Sequence, residues 1–236
     1  MAFGTPTSIG TKNDGSGSSC IVTTTANAEV GRLLVAYCSK DNVSDGATNE
    51  VTSVTDSTGA NTWTKAHEYS EGSGGSDAGV TVAAFFCKVS SQINSGGTIT
   101  FNFSSSKSGQ VGEVLKLTCD NSVELDGTPQ AEAANNQTNP GSLALSGLSN
   151  VEHIYFRVRG GESMDSNRHD WTVTAGYTAT TAVLDTTQSI GMKAEYYIAT
   201  GTGSTSNPGS ASTDCDAASV FFALKEASNS GFFALL

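Results

Sequence analysis

The chain has 236 residues, a formal net charge of −11, and only 15% charged residues, against about 25% in an average domain. Its 12 Lys and Arg are scattered rather than clustered. That argues against a phosphate-binding surface for nucleic acid and against docking on an anionic membrane. No apolar run approaches the roughly 18–20 residues that span a bilayer.

With 32 Ser, 29 Thr and 26 Gly, the composition disfavours helices, whose faces need Ala, Leu, Glu and Lys. It favours short strands joined by polar turns. Apolar clusters such as 33–37 and 80–86 argue against disorder, because they can bury a core.

In chain order, strands rich in β-branched and aromatic residues are expected at 20–25, 32–39, 50–56, 62–68, 80–89, 98–103 and 112–119. The second half adds 142–146, 153–159, 170–174, 190–199 and 218–225. Between them stand turn signals such as Asp45-Gly46, Thr58-Gly59, Asp126-Gly127 and Asn207-Pro208-Gly209. About a dozen short strands with no helical period specify an all-β fold, an antiparallel β-sandwich of jelly-roll type.

The two halves echo one another. Leu33-Leu34-Val35-Ala36-Tyr37, Thr62-Trp63-Thr64, a long strand containing Phe85-Phe86, and Val114–Leu117 recur in order. Their counterparts are Ile154-Tyr155-Phe156, Asp170-Trp171-Thr172, a long strand containing Tyr196-Tyr197, and Val220–Lys225. Trp63 precedes Phe85 by 22 residues and Trp171 precedes Tyr196 by 25. Two arrangements fit: two small sandwiches joined around 126–140, or one sandwich that both halves share. We favour the shared sandwich, because four or five apolar strands alone bury little core. Trp63, Trp171, Phe85, Phe86, Tyr196 and Phe221 are its expected core aromatics. The sandwich would span 20–226, with halves at 20–125 and 140–226. It would be flanked by an N-terminal arm at 1–19 and an apolar tail at 227–236.

The ordered motifs resemble a β-sandwich domain of phage and prophage virion proteins and of some bacterial surface proteins. The matching residues are Gly31-Arg32-Leu33-Leu34-Val35-Ala36, Thr62-Trp63-Thr64, Ala84-Phe85-Phe86-Cys87-Lys88, Thr98–Phe103, Leu115-Lys116-Leu117 and Val220–Lys225. The resemblance covers about 17–227. It implies a jelly-roll or immunoglobulin-like sandwich with a structural or adhesive role in a virion, and it supplies no catalytic set. Arg32 stands where the pattern usually has an acid.

Chemistry is sparse. Cys20, Cys38, Cys87, Cys119 and Cys215 are odd in number and lack CxxC spacing, so buried free thiols are expected. His67, His153 and His169 form no metal-ligand pair. Glu162, Asp165, His169 and Asp170 are the only candidate carboxylate cluster, and a solvated loop is the expected reading. Asp214 and Asp216 offer oxygens to calcium without a recognised loop. We therefore expect no enzyme activity and no cofactor.

The chain ends in Phe232, Phe233, Leu235 and Leu236, an apolar segment that would either fold back on its own sandwich or dock on another subunit or protein, and the Ser/Gly spacer before it favours docking. The expectation is a bacteriophage virion protein, a capsid decoration or cement protein. It would bind between subunits of the major capsid protein and stabilise the head as a homo-oligomer. The chain as given begins without a signal segment, consistent with synthesis in the host cytoplasm. The alternatives are a tail fibre or receptor-binding tip, or a carbohydrate-binding adhesin module.

Overall fold

The computed structural model describes residues 2–13, 16–41, 49–72, 79–137, 141–162, 171–210 and 215–228. Among them are fifteen strands and no helix. In the first half these are β1 (Thr7–Lys12), β2 (Ser16–Thr23), β3 (Leu33–Asp41), β4 (Val51–Asp56), β5 (Thr64–Glu71), β6 (Val80–Lys88), β7 (Thr98–Ser108) and β8 (Gln110–Leu117). The second half has β9 (Val123–Leu125), β10 (Gln130–Gln137), β11 (Leu143–Glu162), β12 (Thr178–Ala179), β13 (Val183–Asp185), β14 (Ile190–Ser206) and β15 (Cys215–Glu226). All pairings are antiparallel. The all-β sandwich expected from the sequence is what forms.

Three sheets build it. A central sheet runs β1-β8-β3-β6-β5, a small outer sheet runs β2-β7-β4, and a large sheet runs β10-β15-β11-β14-β12, with β13 and β9 on its flanks. Alternation assigns the faces. Leu33, Val35 and Tyr37 of β3 point to the large sheet, while Leu34, Ala36 and Cys38 point to the small one. Every residue of β3 is therefore buried, as expected of a strand covered on both sides.

The core between the central and large sheets holds Val82, Phe86 and Leu115 against Phe156, Met192, Val220 and Phe222. Phe156 and Phe222 stack with centroids 5.7 Å apart. A second core lies under the small sheet, around Val22, Phe85, Ile99 and Phe101.

The sequence echo is a repeat of topology. Strand for strand, β1, β8, β3, β6 and β5 correspond to β10, β15, β11, β14 and the β12–β13 edge. The contacts between the two sheets are reciprocal: β15 packs on β5 and β6, while β14 and β13 pack on β8. That is the pattern of an isologous interface, here within one chain. No strand of one half hydrogen-bonds into a sheet of the other among the described residues. The halves share a core without interleaving their strands.

Residues 2–13 and 16–19, set apart above as an arm, are integrated instead. Phe3 and Ile9 are 1% exposed, and β1 closes the edge of the central sheet against β8. Expected strands 142–146 and 153–159 merge into β11, whose first residues pair with the end of β14. This extension folds Leu143, Leu145 and Leu148 over Tyr155 and Phe221 on the outer face of the large sheet. It occupies the place that β2 and β7 take in the first half. Of the expected strand 170–174, residues 171–174 are described and are not strand.

Gly160 marks how closely the sheets approach. A methyl group there would sit 2.6 Å from Val82 Cγ2 and collide with Ser39 Oγ. Gly160→Ala should destabilise the fold by about 1–3 kcal/mol. Gly201→Ala, whose nearest neighbour would lie 3.9 Å away, should stay within about 0.5 kcal/mol of the parent. Urea unfolding of the two variants distinguishes them.

Candidate functional site

The expected core aromatics take different places. Phe85, Phe86, Phe221 and Trp171 are buried, while Trp63 and Tyr196 are partly buried and pack against the cores. Trp63 Nε1 donates to Asp56 Oδ2 at 3.1 Å. The tail residues Phe232, Phe233, Leu235 and Leu236 lie outside the described residues, as do Asp165, His169, Asp170 and Asp214. All five cysteines are buried and unbridged. Burial pushes the Cys20 and Cys87 thiols up to about 12, so both are protonated at neutral pH and behave as small hydrophobes.

Four polar constellations stand out. At one end of the stack, Glu162 closes β11 and accepts from Gly79 N. Burial raises its carboxyl to about 7. The Gly79 donor opposes that shift, and Asp41, Asp216 and Glu71 add to it. Among the described residues no group of three or more His, Cys, Asp or Glu is placed to hold a metal ion.

At the other end, Asp126 accepts from Ser149 N at 2.7 Å, pairs with His153 Nε2 at 2.8 Å and meets Lys225 Nζ at 3.1 Å. Burial alone would raise the Asp126 carboxyl. The bonds from His153, Ser149 and Lys225 overcome that and hold it well below the usual range. Ser149, His153 and Asp126 do not form a nucleophilic relay. The imidazole and the serine hydroxyl both address the carboxylate, and the hydroxyl accepts from Lys225 at 2.8 Å. The cluster ties the segment that joins the halves to β11 and β15.

On the outer face of the large sheet, fully buried Arg157 pairs with Glu132. It also donates to Gly141 O at 3.0 Å and Ser206 Oγ at 3.1 Å. Ser206 Oγ donates to Glu195 Oε1 at 2.5 Å, and Thr174 N donates to Glu195 Oε2 at 2.7 Å. This network is closed and carries the extension of β11 and β14 across the sheet.

The fourth constellation is buried but borders two surface cavities. At the lateral seam between β1–β8 and the β12–β13 edge lie two cavities of about 160 and 510 Å³. Both touch Thr181. The smaller has Glu113 in its lining, 1% exposed. Tyr37 Oη donates to Glu113 Oε2 at 2.5 Å and contacts Thr180 Oγ1 at 3.2 Å, whereas Glu113 Oε1 has no hydrogen-bond partner. Burial raises this carboxyl above its ordinary value, although the Tyr37, Ser8 and Thr180 hydroxyls partly offset the shift. The larger cavity has Asp185, 2% exposed. Its Oδ1 accepts from Thr187 N at 3.0 Å and Gln188 N at 3.1 Å, while Oδ2 has no partner. Sequence reasoning missed both acids. Glu113 interrupts an apolar run and Asp185 opens a polar turn, and only the third dimension brings them to one seam.

No family model matches the chain, and no curated protein matches it.

The raised Glu162 carboxyl binds its proton more tightly in the folded state than in the unfolded chain. Its contribution is fully present below pH 4.5 and is lost as the pH rises to about 7. Urea midpoints measured across that window should fall for the parent relative to Glu162→Gln, which carries no titrating group there. Parallel profiles would show that Glu162 is not the source.

Proposed function

We propose that the protein is a non-enzymatic structural protein of a bacteriophage virion. It is a capsid decoration protein that seats between subunits of the major capsid protein, reinforces the head and acts as a homo-oligomer. One observation supports this reading: the ordered motif set falls on strands of the two sheets that pack face to face. Leu33–Ala36 lies on β3, Phe85–Lys88 on β6 and Leu115–Leu117 on β8, and Val220–Lys225 lies on β15.

The distribution of chemistry agrees with work done by surfaces. The thiols are buried, and Arg157 and His153 are spent on internal ties. The small sheet presents Ile21, Thr23, Ser53, Thr55 and Thr100 outward, four of the five hydroxylated. The apolar segment with Phe232, Phe233, Leu235 and Leu236 is the proposed anchor, on sequence grounds alone.

The adhesin reading asks for aromatic rings open to a sugar. Trp171 is 1% exposed, so it cannot serve as a stacking platform in this fold.

The test is made on particles. Mass spectrometry of gradient-purified virions from a phage encoding this chain should find it at a stoichiometry set by capsid symmetry. Heads lacking it should lose heat resistance and regain it on addition of the purified protein. Removing 228–236 should abolish rebinding while leaving the thermal unfolding of the sandwich unchanged. Purified virions free of the polypeptide overturn the reading.

A further inference from the structure

We propose that the Glu162 end of the stack is a proton-operated latch between the central and large sheets. Four carboxylates face one another there across the gap, so that acid holds this end shut and base lets it part.

The strand register places the four acids. Asp41 of β3 and Glu71 of β5 are both cross-strand partners of Val80 on β6, and directly paired residues share a face. Val80 belongs to the core under the large sheet, so both acids point at that sheet. Glu162 of β11 pairs with Asp216 of β15. Counting by twos from Val158 and Val220, which line the same core, both point back at the central sheet. The acids form the last inward layer at this end. Beside them β6 and β14 contribute Val80 and Ile190, which do not titrate.

Among the described residues, the cations of these strands point elsewhere. Lys40 bonds Glu50 under the small sheet. Arg159 donates to Cys215 and Lys193 lies over Trp171, both on the outer face of the large sheet. A hydrogen bond crosses the gap at the acidic layer, from Gly79 N just before β6 to Glu162. Asp41 and Glu71 are buried, while Glu162 and Asp216 are partly exposed, so protons exchange with solvent. Burial raises the Glu162 carboxyl to about 7, with Asp41, Asp216 and Glu71 adding to the shift and Gly79 opposing it. Protonated, Glu162 brings no charge into the layer. Ionised, it confronts three like groups, and parting the sheets returns it to water. At the opposite end Asp126 is matched by His153 and Lys225 and held well below its ordinary range, so it does not titrate in this window.

The sign follows from linkage. A carboxyl raised in the closed state and ordinary in the parted one keeps the latch shut below pH 4.5 and releases it as the pH rises to about 7. That shift caps the change in the opening constant at about 300-fold. The partial exposure of Glu162 reduces it, and at least about tenfold is expected. A latch differs from a plain loss of stability in that the parting is local. Amide exchange of the full chain, measured from about pH 5 to 8 as protection factors, cancels the intrinsic effect of base. Protection at Gly79 should fall at least about tenfold over that range and should not respond to low urea, the mark of local opening. Glu162→Gln should flatten the pH profile, and Asp216→Asn should move its midpoint to lower pH. Glu124→Gln, whose side chain is 53% exposed at the other end, should leave it unchanged.

Protection at Gly79 that stays level with pH overturns the proposal. So does a profile that Glu162→Gln leaves intact, or an unmoved midpoint in Asp216→Asn. Exchange at Gly79 that quickens with urea in step with Val35, deep in the core, overturns it too, because the pH effect is then global unfolding. Should either variant fail to fold, the pH and urea responses of the parent protein decide.

Discussion

Face-to-face packing of the central and large sheets is the contact on which the rest of the structure depends. It requires strands apolar on both sides, and β3 and β6 supply them with near-continuous burial. It also requires close approach, which Gly160 permits against Ser39 and Val82. Burying such strands removes a large apolar area from water at about 25 cal/mol per Å². Larger polar groups cluster at the margins of that interface. There Tyr37 and Glu113 bond to each other at one seam, and Asp126 gathers three donors at one end.

The two halves solve the same problem differently. In the first, the outer face of the central sheet is covered by a separate three-stranded sheet over an apolar core. In the second, β11 and β14 run past the sheet and fold their own continuation over it. The apolar part of that outer layer is smaller, centred on Tyr155, Tyr177 and Phe221. Arg157, Glu132, Glu195 and Ser206 hold the remainder. A buried ion pair gains little net stability once desolvation is counted. Its directional bonds nonetheless fix where the extension lies, which a short apolar hairpin could not do by contact alone.

The long strands were legible because their residues suit a pleated surface. Leu33–Ala36, Val80–Cys87 and Val220–Leu224 are runs of β-branched, aliphatic and aromatic side chains that only a doubly covered strand uses. The Trp-Thr echo correctly aligned the halves, since the β5 and β12–β13 edges follow it. Other elements left no such mark. β1 is Thr-Ser-Ile-Gly-Thr-Lys and β10 begins Gln-Ala-Glu-Ala. As edge strands, β1 and the first residues of β10 are only partly buried and are held by ladder bonds more than by apolar content. The number of layers was hidden as well, because period-2 alternation reports that a face is buried and not what covers it. The seam acids were invisible for a related reason: in Gly112-Glu113-Val114 the carboxyl interrupts a hydrophobic run, and nothing local shows that its neighbour across the gap is Thr180.

The two seam cavities follow from a broken symmetry. At one lateral seam the eight-residue strands β5 and β10 lie against each other and close the gap between the sheets. At the corresponding seam the large sheet has only β12, of two residues, and β13, of three. The interruption between them leaves two cavities beside β1. A fused pair of equivalent halves would otherwise present two closed sides. Shortening one edge strand opens one of them without disturbing the shared core, since β12 and β13 still hang on β14 through their ladder bonds. The acids at that opening are therefore held by the rigid part of the fold. Glu113 sits in the middle of β8, and Asp185 caps the turn into β14.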